Sequence, residues 1–183
     1  MSVLFINACV RENSRTLTLA RSFLKGLEGD IVELELQREN IQPLNRELLE
    51  KRSKLINNEQ WDDDMLAYAR QFAAADEIVI AAPFWDLGFP SLLRIYIEAI
   101  TVSGIVFRYN EGKPQGFCRA KRLTYITTAG GKMVGDFGYS YIKALAQGFY
   151  GIPSVRCIYA ENLDIDCIGA DEVLEKSIIA TIE

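Results

Sequence analysis

The sequence predicts an α/β domain in which helices cover both faces of a doubly wound, five-stranded parallel sheet. Short apolar runs alternate with helical patterns of roughly three turns along the chain, and this alternation is typical of βαβ units. The chain has 183 residues, of which 49 % are hydrophobic and 25 % are charged, so it is long enough for one sizeable core. Because the sequence contains no repeat or linker, residues 1–183 are expected to form a single domain.

Five short runs predict the strands of the sheet. Residues 2–7 and 77–82 are mostly apolar, as is typical of strands that are buried on both faces. Residues 31–36 alternate apolar with acidic side chains, so one face of that strand is expected to be less buried. In chain order, the predicted strands are 2–7, 31–36, 77–82, 121–127 and 154–160.

Apolar residues at three- and four-residue spacing predict the helices between these strands. Gly29 and Gly151 stand where two of the helices are expected to end. The predicted helices are 17–27, a short one near 44–49, one from Trp61 to Ala75, 91–102, 139–150 and 170–182. A small hairpin around Asn110-Glu111-Gly112 is predicted at 106–117. This order of elements favours a flavodoxin-like arrangement with strand order 2-1-3-4-5.

Composition argues against several classes of function. The net charge of −5 gives no support to nucleic-acid binding. The absence of histidine removes the Ser–His and Cys–His triads and most zinc sites, which leaves a bound cofactor as the obvious source of difficult chemistry. No apolar run reaches the roughly 20 residues of a membrane helix, and no signal peptide is recognised, so a cytoplasmic location is expected. Separated cysteines indicate free thiols rather than disulfides or metal ligands: Cys9, Cys118, Cys157 and Cys167.

The predicted ligand site lies where three loops follow the first, third and fourth strands, because parallel α/β sheets bind ligands at the carboxyl ends of their strands. In the first loop, Ser14 is the expected N-cap of a helix, with Arg11 and Arg15 beside it. Free backbone N–H groups, a hydroxyl from Ser14 or Thr16 and the arginines together predict a phosphate site. A plain N-cap with solvated arginines is the alternative. No Gly-x-Gly-x-x-Gly or P-loop sequence is present.

The second loop, 83–89, carries three aromatic residues between two prolines, and such a segment could border a flat aromatic ligand. A hydrophobic plug that caps the sheet is the alternative. The third loop, 128–136, combines threonines with Gly130 and Gly131, which let the backbone approach a ligand closely. A plain glycine turn is the alternative there. The coincidence of all three loops at one sheet edge favours a bound cofactor.

Three segments resemble the FMN-dependent NADH-azoreductases and related NAD(P)H:quinone oxidoreductases. Pro83-Phe84-Trp85-Asp86 is similar to their Pro-Met-Tyr-Asn segment. Residues 104–116 are similar to their Gly-x-x-Phe-x-Tyr…Gly-x-x-Gly hairpin, the most specific of the three. Residues 127–131 are similar to their Ser/Thr-x-Gly-Gly turn. The resemblance covers essentially the whole chain in order and spacing.

The resemblance implies a bound FMN whose phosphate lies on the first loop and whose isoalloxazine lies between the other two. The implied cofactor-binding residues are Cys9, Arg11, Ser14, Arg15, Thr16, Pro83, Phe84, Trp85, Asp86, Thr127, Thr128, Ala129, Gly130 and Gly131. The resemblance also implies that Tyr109 and Met133 lie in the substrate pocket and that Tyr109 is a catalytic residue. No metal is implied.

The resemblance also implies a homodimer, formed through helix 91–102 and hairpin 106–117, in which Tyr109 reaches the neighbouring subunit's pocket. We expect ping-pong two-electron hydride transfer, in which NADH or NADPH reduces the cofactor and a quinone, or an azo compound, reoxidises it. Three residues depart from the family pattern: Cys9 replaces a serine, Asp86 an asparagine and Met133 a histidine. A flavodoxin-type electron carrier and a flavin-free interaction domain are the alternatives that this reading leaves open.

Overall fold

The computed structural model describes residues 1–135, 137–165 and 169–182. Five parallel strands form the sheet, in the order β2-β1-β3-β6-β7. The strands of this sheet are β1 (Ser2–Asn7), β2 (Asp30–Glu35), β3 (Glu77–Ala81), β6 (Arg122–Thr128) and β7 (Ser154–Ala160). Strands β4 (Phe107–Asn110) and β5 (Lys113–Gly116) form a separate antiparallel hairpin. Counting only the strands of the sheet, the predicted order 2-1-3-4-5 is confirmed.

Side chains of β1 show how the core is arranged. Successive residues of a strand point to opposite faces of the sheet, and here they enter two different apolar clusters. Leu4 and Ile6 pack in a cluster with residues of the helices at 67–74, 91–100 and 137–145. Val3 and Phe5 pack on the other face, with residues of the helices at 15–24 and 170–182. Because both faces of β1 are covered, its residues are apolar whichever face they point to.

The helices are α1 (Arg15–Leu24), α2 (Arg46–Asn57), α3 (Ala67–Ala74), α4 (Ser91–Ile100), α5 (Phe137–Leu145) and α6 (Ala170–Ile182). The expected end of the first helix at Gly29 is wrong, because α1 ends at Leu24. Gly29 instead adopts φ +117°, and a Cβ atom there would lie 2.2 Å from the Met1 carbonyl oxygen. A glycine is therefore required at this position, because the main chain of residue 29 lies directly against the main chain of Met1, at the start of β1.

The segment between β2 and β3 differs most from its prediction. The short helix expected near 44–49 is α2, which is twelve residues long and is capped by the Asn45 side chain. The helix expected from Trp61 begins only at Ala67, after a 3₁₀ turn at Asp64–Leu66. Asp63 accepts a hydrogen bond from the Met65 N–H and so starts this turn, which a spacing argument does not detect.

Strand β2 lies at one edge of the sheet. It pairs with β1 alone, and the side chains of Ile31 and Val32 are 41 % and 50 % exposed. Acidic residues lie on either side of them, at Asp30 and Glu33. This edge is therefore apolar in part but carries negative charge along its length.

The hairpin at 106–117 forms as predicted. Glu111 and Gly112 both have positive φ angles, as a two-residue type I′ turn requires. The hairpin packs against the segment that follows α5, a π-helical turn at Ala146–Tyr150 closed by left-handed Gly151. The approach is close, because a Cβ atom on Gly116 would lie 2.1 Å from the carbonyl carbon of Tyr150.

Within the described residues, no helix is long and apolar enough to cross a membrane, and no group of metal-binding side chains is found. In the part of the chain that the structure describes, Cys9, Cys118 and Cys157 take part in no disulfide bond. Cys167 lies outside the described residues.

We predict that Gly116→Ala destabilises the protein by about 2 kcal/mol, because the new methyl group overlaps backbone that cannot move independently. Gly148→Ala is the matched control, since a Cβ atom there meets nothing within 4 Å. Urea unfolding measures both variants. Equal stability of Gly116→Ala and wild type would contradict the close packing of hairpin and π-helical turn.

Candidate functional site

A cleft of about 350 Å³ lies at the carboxyl edge of the sheet, where the three predicted loops meet. It is lined by Arg11, Asn13, Ser14, Arg15, Phe84, Trp85, Thr128, Ala129, Gly130, Leu163 and Asp164. All three loops contribute residues to this cleft. We call this space the loop cleft.

The first loop supplies the positive end of α1. Ser14 adopts an extended backbone conformation, and its hydroxyl accepts a hydrogen bond from the Leu17 N–H at 3.2 Å. The first turn of α1 contains no acidic residue, while Arg11 and Arg15 line the cleft beside it. A helix N-terminus and two guanidinium groups favour an anion at this point.

Asp164, which the sequence argument missed, enters the cleft from the segment after β7. Its Oδ1 atom lies 2.5 Å from Nη1 of Arg15. Its Oδ2 atom rests against Gly130, where a Cβ atom would lie only 2.0 Å away. A side chain at position 130 would therefore displace this carboxylate. The segment after β7 also ends at the carboxyl edge of the sheet, and that position was the one available signal.

The second loop contains a two-residue turn that no sequence pattern indicated. Trp85 and Gly88 exchange backbone hydrogen bonds of 3.3 and 2.7 Å, and the residues between them, Asp86 and Leu87, have φ angles of +50° and +65°. Asn and Asp tolerate this left-handed conformation better than other residues that carry a Cβ atom, so an Asp at 86 keeps the turn that an Asn would form. The Arg11 guanidinium lies 6.0 Å from the Trp85 ring centroid.

The third loop is fixed by the segment that follows β7. The carbonyl groups of residues 129–131 accept hydrogen bonds from the backbone N–H groups of residues 162–164. In the described part of the chain, the N–H groups of Gly130 and Gly131 donate to no other residue. They are free to donate to a ligand.

Thr128 joins the loops to one another. Its backbone oxygen accepts a hydrogen bond from the Phe84 N–H at 3.0 Å, which ties the third loop to the second. Its hydroxyl lies 2.6 Å from the hydroxyl of Thr16, which is 1 % exposed on α1. These two contacts fix the relative positions of all three loops.

Cys9 faces the core rather than the cleft. Its Sγ atom lies 3.8 Å from the Ala81 carbonyl oxygen, and the side chain is 2 % exposed. Burial raises the pKa of this thiol to about 11, so the group is uncharged at neutral pH.

Several predicted site residues do not line the loop cleft. Pro83 precedes it, and Asp86 is exposed at the turn. Tyr109 lies on the hairpin, 61 % exposed, and packs its ring edge-on against Phe107. Thr127 and Met133 line a neighbouring cavity instead.

The neighbouring cavity has a volume of about 410 Å³ and shares Phe84 with the loop cleft. We call it the aromatic cavity. It is lined by Phe84, Tyr125, Thr127, Lys132, Met133, Gly135, Gly138, Tyr139, Cys157, Tyr159 and Glu161.

Comparison with known proteins agrees with this architecture. Residues 1–180 match the family model described as the flavodoxin-like fold. The chain belongs to this family. An FMN-dependent NADH:quinone oxidoreductase of Clostridium perfringens is 34 % identical over 96 % of this chain and 93 % of its own length. A protein of the same name from Lachnoclostridium phytofermentans is 37 % identical over 92 % of this chain and 89 % of its own length.

Solved structures of the flavodoxin-like family superpose on nearly the whole chain. An azoreductase from Bacillus anthracis str. Sterne matches with a TM-score of 0.86 and 22 % identity, covering 99 % of this chain and 96 % of its own. A FMN-dependent NADH-azoreductase from Bacillus anthracis str. Ames Ancestor, in complex with FMN, matches with a TM-score of 0.82 and 20 % identity, covering 100 % and 96 %. At these identities the likeness shows the fold.

We predict that Thr16→Val and Thr128→Val each lower the free energy of unfolding by about 1 kcal/mol, because each leaves the other hydroxyl without its partner. The double variant should lose less than the sum of the two single losses, since it removes both hydroxyls together. A double-mutant cycle in urea measures the coupling. Strict additivity would show that the two hydroxyls do not interact.

Proposed function

We propose that this chain is an FMN-dependent NADH:quinone oxidoreductase that binds its cofactor in the loop cleft. The observation that carries the proposal is the convergence of an anion-binding helix terminus, an aromatic loop and the free N–H group of Gly130 in one space. The relatives that share 34 % and 37 % of their residues over nearly the full chain carry that name. NADH is the donor in that name, so we favour NADH over NADPH.

The first loop would hold the FMN phosphate. Backbone N–H groups at the start of α1 and the guanidinium groups of Arg11 and Arg15 provide donors and positive charge. In the structure, Asp164 neutralises Arg15. A bound phosphate would therefore either draw the Arg15 guanidinium away from Asp164 or share that guanidinium with the carboxylate. Ser14 and Thr16 keep this terminus in place through the contacts described above.

The second and third loops would hold the isoalloxazine ring system. Phe84 and Trp85 supply apolar and aromatic walls, and the free N–H groups of Gly130 and Gly131 supply donors for its polar edge. When bound, FMN supplies the two-electron redox chemistry. The protein's own part is then to orient donor and acceptor and to exclude water, and neither task requires a histidine or a nucleophilic side chain.

We propose that the chain acts as a single doubly wound domain that pairs into a homodimer through α4 and the hairpin. Ile95 and Leu92 of α4 are only half-buried, and Tyr109 is 61 % exposed, so both elements present apolar surface. Tyr109 lines neither the loop cleft nor the aromatic cavity, which suits a role in the partner's pocket. Sedimentation equilibrium tests this proposal, and a monomer at micromolar concentration would contradict it.

The free thiols support a cytoplasmic location.

The test of the function is an anaerobic titration of the FMN-loaded protein with NADH, followed by flavin absorbance. We expect the flavin band to bleach with one equivalent of NADH and to return when a quinone is added. A flavin that binds but stays oxidised would favour the electron-carrier alternative. A chain that binds no FMN would favour the flavin-free alternative.

We predict that Arg15→Gln weakens FMN binding by about tenfold, the size expected for one charged hydrogen bond to phosphate, but leaves riboflavin binding unchanged. Asp164→Asn should strengthen FMN binding, because it removes a carboxylate that competes for Arg15. Arg119→Gln is the matched control, since that arginine also pairs with an aspartate, Asp76, but lies before β6, at the opposite edge of the sheet. Equal loss of FMN and riboflavin in Arg15→Gln would place the phosphate elsewhere.

A further inference from the structure

A third cavity lies apart from the candidate site, against α2. Its volume of about 450 Å³ falls within the usual range for small-molecule sites. Its walls come from the loop before α2, from α2 itself, from the 3₁₀ turn before α3 and from the adjoining parts of α3 and α4. None of its lining residues also lines the loop cleft or the aromatic cavity. We call this space, bounded by residues 40–68 and Ala99, the α2 cleft.

Arg52, on the α2 wall of this cleft, has no carboxylate partner. Its Nη1 atom donates a hydrogen bond to the main-chain oxygen of Glu98 at 2.9 Å, and its remaining N–H groups bond to no described residue. The side chain is half-buried, and burial lowers the pKa of the guanidinium. The Glu98 carboxylate opposes this effect from a distance, but it is itself paired with Arg94 at 3.3 Å. A guanidinium that is partly removed from water and unpaired favours an anionic ligand.

Asp64, on the wall formed by the 3₁₀ turn, carries a negative charge that is also unpaired. Its carboxylate forms no hydrogen bond or ion pair with another residue that the structure describes. The neighbouring Asp63 differs, because it accepts a hydrogen bond from the Met65 N–H at 2.9 Å and lies 3.9 Å from the Lys51 ammonium nitrogen. With Lys51 and Asp63 paired, the cleft still presents one positive and one negative charge to a ligand.

Apolar side chains cover much of the remaining surface of the α2 cleft. Ile41 and Leu44 come from the loop before α2, Leu48 from α2 and Met65 from the 3₁₀ turn. The hydroxyl of Tyr68 is already donated to Glu39, which lies outside the lining. Apolar surface beside two opposite charges matches a ligand that is apolar at one end and zwitterionic at the other.

We propose that the α2 cleft binds an apolar α-amino acid, with its carboxylate on Arg52, its ammonium on Asp64 and its side chain against the apolar lining. An α-amino acid carries both charges on one carbon, so it can pair with both residues although they do not pair with each other. A simple anion would leave Asp64 unpaired, and a simple cation would leave Arg52 unpaired. This inference goes beyond the proposed function and does not rest on it.

The test compares three probes that share one aromatic ring. L-Phenylalanine carries both charges, 3-phenylpropanoate lacks the ammonium and 2-phenylethylamine lacks the carboxylate. Isothermal titration calorimetry should give a Kd of about 1 mM or below for L-phenylalanine. Each of the other two probes should bind about tenfold more weakly, because each leaves one charged group of the cleft without its partner.

Two variants assign the charges separately. Arg52→Gln should weaken L-phenylalanine and 3-phenylpropanoate by about tenfold and leave 2-phenylethylamine unchanged. Asp64→Asn should weaken L-phenylalanine and 2-phenylethylamine and leave 3-phenylpropanoate unchanged. Arg46→Gln and Asp62→Asn are the matched controls, since these residues lie on α2 and next to the 3₁₀ turn but do not line the cleft.

Hydrogen exchange locates the bound amino acid without reference to activity. Leu55 is the one residue of α2 that is buried, so the amides of this helix are expected to exchange through local opening. At a concentration ten times its Kd, L-phenylalanine should slow this exchange by about tenfold. Exchange in α5, beside the aromatic cavity, should not change.

The outcomes decide the proposal independently of FMN. No saturable binding up to about 10 mM L-phenylalanine, or equal affinity for all three probes, would overturn it. Protection of α5 in place of α2 would move the amino acid to the aromatic cavity and would overturn it too. Because the α2 cleft shares no lining residue with the loop cleft, failure to bind FMN would contradict the proposed function and leave these measurements valid.

Discussion

The geometry of the candidate site depends on the contacts of one residue, Thr128, at the end of β6. Its main-chain oxygen binds the second loop and its hydroxyl binds Thr16 on α1. These two short contacts join the three loops to one another above the strands beneath them. As a result, Arg11, Arg15 and the aromatic loop line the same cleft.

The parts of the fold that follow from periodicity could be predicted from the sequence. The five strands could be predicted within one residue at each end, because short runs that are apolar throughout or alternate apolar with polar residues are typical of strands. The two helices between β2 and β3 are harder to bound. The Asn45 side chain caps the start of α2, and the Asp63 side chain starts the turn before α3; each is a single contact and leaves no period to detect.

The site shows the same division. The loops could be located, since their place follows from strand direction, but the residues that shape them could not all be named. Asp164 reaches the cleft from far along the chain, and Cys9, although part of the predicted first loop, 8–14, turns into the core. Gly29 was misread as a helix stop because a glycine required for close packing and one required for a helix end look identical in a sequence.

The open edge of the sheet at β2 has a consequence for how the protein behaves in crowded solution. An edge strand that exposes Ile31 and Val32 is a surface on which a strand of another molecule could add. Glu33 is paired with Arg21, so Asp30 is the carboxylate beside them that opposes such addition by like-charge repulsion, which weakens as salt screens it or acid neutralises it. Self-association through this edge is thus opposed by charge rather than by a covering element, and it depends on the solvent conditions.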